Sequence, residues 1–187
     1  MYPHLFKNIL LDTDIQNIIS YIDKNSNDFG ELKKNDYWSG RTLHYNSISD
    51  SGVQNIIMQT ILYGHKDLQS LQEESKEIYC EHLSIARWPK DYELLPHADA
   101  ENPPEFPKHP YPWRDFAMIT FLNNNFDGGL LYFPNQKIEI VPKPGYTIIF
   151  PGTLEYLHGV TKILSGTRYT IASFWTYSPD KSSIILF

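Results

Sequence analysis

From about Glu77 to its end the chain breaks into short runs of β-branched and aromatic residues separated by proline and glycine, with no helical period between them. This pattern restricts the fold more than any other feature. Strands that follow one another without intervening helices cannot be joined as parallel crossovers and must pair mostly antiparallel. The runs predict strands at 78–87, 115–122, 129–133, 137–141, 146–150, 158–161 and 168–175. Seven such strands fit a sandwich, barrel or jelly roll. One interval departs from the rhythm: 100–113 holds Pro103, Pro104, Pro107, Pro110 and Pro112, too many for a paired strand, and reads as a long, semi-stiff loop.

The first 76 residues read differently. Ile15, Ile18, Ile19 and Ile22 recur at the spacing of one helix face, with Thr13 and Gln16 suited to a capping box. Val53, Ile56, Ile57 and Ile61 predict a second helix, capped by Asp50 or Ser51 and stopped near Gly64, with 68–76 as a possible continuation. Residues 37–41 read as a loop or short strand between the helices. The apolar end, 184–187, reads as an edge strand docked on the fold. The expected organisation is one domain over 1–187, with helical support in 1–76 and a β core in 77–187.

Charge and cysteine usage narrow the chemistry. With 16 basic and 22 acidic residues the net charge is −6, which disfavours a broad nucleic-acid surface. No run approaches the roughly 20 apolar residues that cross a bilayer, and the first residues lack signal-peptide character, so a cytoplasmic protein is expected. A single cysteine, Cys80, beside seven histidines means that a metal site must use imidazole and carboxylate.

His97 and Asp99, two apart in an extended segment, point to one side and can share an ion. His158, opening a later strand, is a distant third ligand. Two imidazoles and one carboxylate leave positions open on an octahedral metal, which suits Fe(II) binding a co-substrate and dioxygen, while zinc stays open. Arg168, ten residues beyond His158, could grip a carboxylate through two charge-assisted bonds, with Thr170 on the same strand face. His4, His44, His65 and His82 have no partner at metal spacing, and His109 reads as a solvated loop residue. Cys80 reads as core, and Trp113, Arg114, Tyr132 and Tyr156 as residues of an entrance or of the core.

In order, the chain carries Pro96-His97-Ala98-Asp99, the strand from Arg114 ending Phe-Leu-Asn at Asn123, Gly128-Gly129-Leu130-Leu131-Tyr132-Phe133-Pro134, Pro144-Gly145-Tyr146, His158-Gly159-Val160 and Gly166-Thr167-Arg168-Tyr169. These motifs resemble the Fe(II)/2-oxoglutarate-dependent dioxygenases of the prolyl 4-hydroxylase-like branch. The resemblance runs from about Ile85 to Trp175.

It implies a mainly β fold, a double-stranded β-helix of jelly-roll or cupin-like form with N-terminal support α-helices. It also implies iron held by His97, Asp99 and His158, and 2-oxoglutarate bound by Arg168, where some relatives use lysine. The activity implied is hydroxylation of a C–H bond, foremost of a peptidyl proline, using O2 and converting 2-oxoglutarate to succinate and CO2, with ascorbate as a candidate reductant. The retained Asp99 favours hydroxylation over halogenation. Trp88 stands where many relatives place a tyrosine that contacts 2-oxoglutarate, its indole N–H being a substitute donor, and Phe121 lacks a hydroxyl found in some. Alternatives are a small-metabolite hydroxylase, an AlkB-like nucleic-acid demethylase suggested by Glu101 after His-x-Asp, and a non-catalytic cupin-like metal-binding module.

Overall fold

The computed structural model describes residues 3–33, 38–72 and 76–186. In chain order its elements are β1 (His4–Lys7), α1 (Asp12–Lys24), β2 (Thr42–His44), α2 (Ser51–Ser70), β3 (Tyr79–Pro89), β4 (Leu94–His97), β5 (Phe116–Phe121) and β6 (Asp127–Gly128). They continue with β7 (Leu131–Phe133), β8 (Ile138–Ile140), β9 (Tyr146–Pro151), β10 (His158–Val160), β11 (Ile163–Ser165) and β12 (Thr167–Thr176). A six-stranded sheet has the order β1-β9-β5-β12-β3-β2, a four-stranded sheet β4-β10-β7-β8, and β11 pairs with β6. The pairings within both larger sheets are antiparallel. The fold is mainly β, a double-stranded β-helix with its two helices packed outside.

Alternation along β12 explains why the sheets and helices stack in this order. Ile171 and Trp175 point to the helical side, where they join Ile18, Ile22, Ile57 and Ile61 in one apolar cluster. Arg168, Thr170, Ala172 and Phe174 face the other way and line a cavity between the sheets. A second apolar cluster, with Phe121, Leu131, Phe133 and Phe150, fills the remaining space between the sheets.

The N-terminal part is less purely helical than its sequence suggests. It supplies β1 and β2, the two edge strands of the six-stranded sheet. Four and three residues are too few to show a period, so their pairing to β9 and β3 is what defines them. Helix α1 starts at Asp12, and its cap is the Asp14 carboxylate, which accepts the Leu11 N–H at 3.1 Å, rather than a Thr13–Gln16 box. Asp50 caps α2 by accepting the Val53 N–H at 3.0 Å.

Gly64 does not end α2, which continues to Ser70. A Cβ there would stand 2.6 Å from Met118 Sδ, so glycine serves the close approach of helix to sheet. The predicted strand 129–133 begins later, at Leu131, because Gly129 has φ +63°. Ile184 is buried and bridges to Cys80, so the tail docks as expected, but through a single bridge rather than as an edge strand. Tyr37, 73–75 and Phe187 lie outside the described residues.

Candidate active site

β4 and β10 place His97 directly opposite His158, with ring centroids 4.5 Å apart. At Gly159 a Cβ would meet the Leu94 carbonyl oxygen at 2.6 Å, so glycine lets β10 lie this close to β4. Asp99 follows β4 and turns inward, 5% exposed, with one carboxylate oxygen 3.6 Å from His97 Nε2 and the other 3.6 Å from His158 Nε2.

The opposite ring nitrogens are already engaged. His97 Nδ1 lies 3.0 Å from the Leu95 carbonyl and His158 Nδ1 3.1 Å from the Tyr156 carbonyl. A carbonyl can only accept, so each Nδ1 carries the proton and donates, leaving the Nε2 lone pairs turned toward Asp99. Burial alone would raise the Asp99 carboxyl, but His158, His97 and Arg114 outweigh it and hold Asp99 below the ordinary carboxylate range. For His97 burial is likewise outweighed, by Asp99, and the net shift is upward; for His158 burial prevails and the shift is downward.

Asp99 Oδ2 is buried and accepts no hydrogen bond. A carboxylate oxygen so placed is well suited to a cation. Among the described residues the three side chains form the one group able to hold a metal ion. The donor set, two imidazole nitrogens and a carboxylate oxygen, fits Fe(II).

These ligands form one wall of a cavity of about 270 Å³. Its floor is the face of β3 and β12, laid out in register: Trp88 opposite Arg168, Ala86 opposite Thr170, Ser84 opposite Ala172, His82 opposite Phe174. Large side chains close both ends and small ones leave room between. Arg168, 3% exposed, has a buried Nε with no partner, and desolvation lowers its pKa to about 10. Its guanidinium lies 5.5 Å from the Phe121 ring centroid. A buried cation open to a cavity fits the carboxylate of an acidic co-substrate. Trp88 and Thr170 are buried and line the same end, beside Arg168.

The structure therefore brings together His97, Asp99, His158, Arg168, Trp88 and Thr170. Of the four residues read as entrance or core, Arg114 lines the cavity, held by Glu81 at 2.8 Å and stacked 3.9 Å from the ring centroids of Tyr111 and Phe174; the other three do not line it. Glu101 accepts the Leu154 N–H at 2.7 Å, so the feature that suggested a demethylase is engaged within the fold. His4 pairs with Asp67 at 2.7 Å, His65 stacks on Trp175, and burial pushes the Cys80 thiol up, in keeping with an inert core residue.

Sequence reasoning missed His82, Tyr111 and Trp38 as lining residues. For His82 a signal existed: it shares the period-2 face of the strand with Ser84, Ala86 and Trp88. Tyr111 and Trp38 come from irregular segments that carry no such period.

The family described as the 2OG-Fe(II) oxygenase superfamily matches residues 83–177. Prolyl 3-hydroxylase 1 of Gallus gallus is 35% identical over 77 residues, 38% of this chain and 11% of that protein, and human prolyl 3-hydroxylase 1 is 35% identical over the same length. The match thus spans about a tenth of the length of these curated relatives. Among solved structures, the viral collagen prolyl hydroxylase vCPH from Paramecium Bursaria Chlorella virus-1, in its 2OG complex, superposes with a TM-score of 0.71 at 19% identity, covering 94% of this chain and 96% of that one. A prolyl hydroxylase from Trichoplax adhaerens, in complex with a hypoxia inducible factor peptide fragment, gives 0.65 at 17% identity, covering 95% and 84%.

Proposed function

The chain belongs to the 2OG-Fe(II) oxygenase superfamily, and on that premise we propose that it hydroxylates a peptidyl proline, with Fe(II) held by His97, Asp99 and His158 and 2-oxoglutarate bound by Arg168. The observation that carries this reading is that three ligand atoms, all within 4.8 Å of one another, share a cavity with a buried, unpartnered arginine Nε. Fe(II), when bound, supplies the activation of O2 that is coupled to conversion of 2-oxoglutarate to succinate and CO2.

The chain's own residues do the rest. The Leu95 and Tyr156 carbonyls fix the imidazole orientation. The Arg168 guanidinium offers paired donors to the far carboxylate, with the Thr170 hydroxyl and Trp88 indole on the same floor. Leu94, Leu131, Val160 and Ile119 line the walls and exclude water from the reacting centre. On the same reading, 1–187 acts as one domain in which 1–76 braces the core.

Size and rim favour a peptide. A cavity of about 270 Å³ falls below the roughly 300–1,000 Å³ usual for sites that engulf a whole ligand, so co-substrate and one reacting side chain would fill it. Trp38 and Tyr111 line its mouth while 46% and 41% exposed, offering aromatic faces of the kind on which extended, proline-containing segments pack. Prolyl hydroxylases among the relatives and structural neighbours support the same choice. No helix of the described residues is long and apolar enough to cross a membrane.

The test is incubation with Fe(II), 2-oxoglutarate, ascorbate and a panel of proline-containing peptides under air. One added oxygen per peptide, matched by succinate and identified as 3- or 4-hydroxyproline by amino-acid analysis, is expected. Succinate formation coupled only to free metabolites would move the reading to a small-molecule hydroxylase. Metal binding without any succinate would leave a non-catalytic module.

A further inference from the structure

The support of Arg168 changes abruptly along β12. From Thr170 onward β12 is flanked by β5 on one side and β3 on the other, but β5 ends at Phe121, opposite Thr170. Arg168 thus lies two residues beyond the last β5 partner, in a stretch with a strand neighbour on the β3 side only.

The Asn123 side chain occupies the missing position. Its Nδ2 donates to the Thr167 carbonyl at 2.7 Å, and its Oδ1 accepts the Tyr169 N–H at 2.8 Å. Those two groups belong to the peptide units immediately before and after Arg168. One carboxamide, 7% exposed, therefore clamps the backbone on both sides of the guanidinium-bearing residue. The same Nδ2 donates to Asn125 Oδ1 at 2.6 Å, and the Leu122 N–H donates to the Tyr169 carbonyl at 3.0 Å, tying the following loop to the same place. Gly129, just after β6, closes on the arginine stem: a Cβ there would stand 3.2 Å from Arg168 Cδ.

We propose that Asn123 is a positioning residue for 2-oxoglutarate, its carboxamide replacing an absent strand neighbour so that the Arg168 guanidinium meets the co-substrate already aimed. The inference rests on the reading that Arg168 binds the co-substrate carboxylate. Its physical basis is that a flexible arginine held in the binding orientation beforehand loses less entropy when it grips a ligand.

The test is calorimetric titration of 2-oxoglutarate into Mn(II)-loaded protein, for wild type, Asn123→Ala, Asn123→Asp and Arg168→Ala. Asn123→Ala is expected to weaken 2-oxoglutarate about tenfold while leaving Mn(II) affinity unchanged. Asn123→Asp keeps the acceptor for Tyr169 but sets an oxygen against the Thr167 carbonyl and Asn125 Oδ1, so it is expected to weaken 2-oxoglutarate at least as much, and serves as the readout where the alanine variant does not fold. In turnover assays KM for 2-oxoglutarate rises while kcat at saturation stays near wild type. A merely structural role would lower the melting temperature of both variants and leave their 2-oxoglutarate affinity within about twofold of wild type, and that result overturns the proposal. Unchanged affinity in Arg168→Ala would instead overturn the underlying reading of Arg168, and the proposal with it.

Discussion

In the six-stranded sheet, β12 runs ten residues, is paired with β3 along its length, and has its outer face covered by two helices. In the four-stranded sheet, β10 has three residues, its register with β4 shifts between His158 and Val160, and β4 has only four. The long strand carries Arg168 and Thr170, and the short ones carry His97 and His158, with Asp99 just beyond β4. On the proposed reading, the co-substrate end is thus preformed by the pairing of β12 with β3 and, beside Arg168, by the Asn123 carboxamide. The metal end is held by few backbone bonds and contains a buried carboxylate oxygen that a cation would satisfy. Each end keeps one buried polar atom for a ligand, Arg168 Nε on the first and Asp99 Oδ2 on the second, but only the first sits on long strands paired along their length.

The sharpest way to break this comparison is Asp99→Ala. It should abolish Mn(II) binding and turnover outright while leaving the fold intact, as measured by calorimetry, succinate release and circular dichroism. Arg168→Ala should leave Mn(II) affinity unchanged and lower 2-oxoglutarate affinity by at least about a hundredfold, since two charge-assisted bonds of roughly 1.5–3 kcal/mol each are lost. If Arg168→Ala loses Mn(II) as well as 2-oxoglutarate, the two ends are not separable.

Metal addition gives a subtler contrast. Mn(II) should slow amide exchange in β4 and β10 by about tenfold or more and leave β12 and β3 nearly unaffected, because binding energy appears where stability is locally low. Equal protection of both sheets would contradict the difference drawn between them.

Acid gives another, through His82 on the floor. Burial, with help from Arg114 and His44, lowers its pKa to about 4 from an ordinary 6.5. The unfolded chain therefore takes up this proton near pH 6.5 and the folded chain only near pH 4, so acidification through that window favours unfolding. Metal-free wild type should lose several degrees more in melting temperature between pH 7 and 5 than His82→Phe does. Asp99 acts lower: its depressed pKa contributes stability above the ordinary carboxylate value that is lost as pH falls through the folded one. The smallest effect is expected behind the six-stranded sheet. Asp50→Ala removes the cap of α2 and should cost about 1 kcal/mol of stability, measured by denaturant unfolding, with both affinities unchanged.

The same contrast explains what could be read from the sequence. His97, Asp99 and Arg168–Thr170 were legible because i, i+2 spacing in extended chain places side chains on one side, and Arg168 through Trp175 is long enough to show its alternation. The β core, both helices and the proline-rich interval between β4 and β5 followed from period and punctuation. Strands β1 and β2 did not, because three or four residues at a sheet edge are specified by their partners. Gly64 misled as a helix stop because its role is contact with Met118, which no local pattern reveals. Asn123 was visible as the end of a Phe-Leu-Asn motif, but its two bonds span 44 and 46 residues and belong to the tertiary structure alone.

The central claim is that the two ends meet in one cavity, with Fe(II) on one sheet and 2-oxoglutarate reaching it from the other. Anaerobic titration of 2-oxoglutarate into the Fe(II)-loaded protein, followed by visible absorbance, tests it most directly. A saturable charge-transfer band in wild type, absent in Asp99→Ala and requiring far more 2-oxoglutarate in Arg168→Ala, is the predicted result; tight Fe(II) binding with no band at any 2-oxoglutarate concentration would contradict the account.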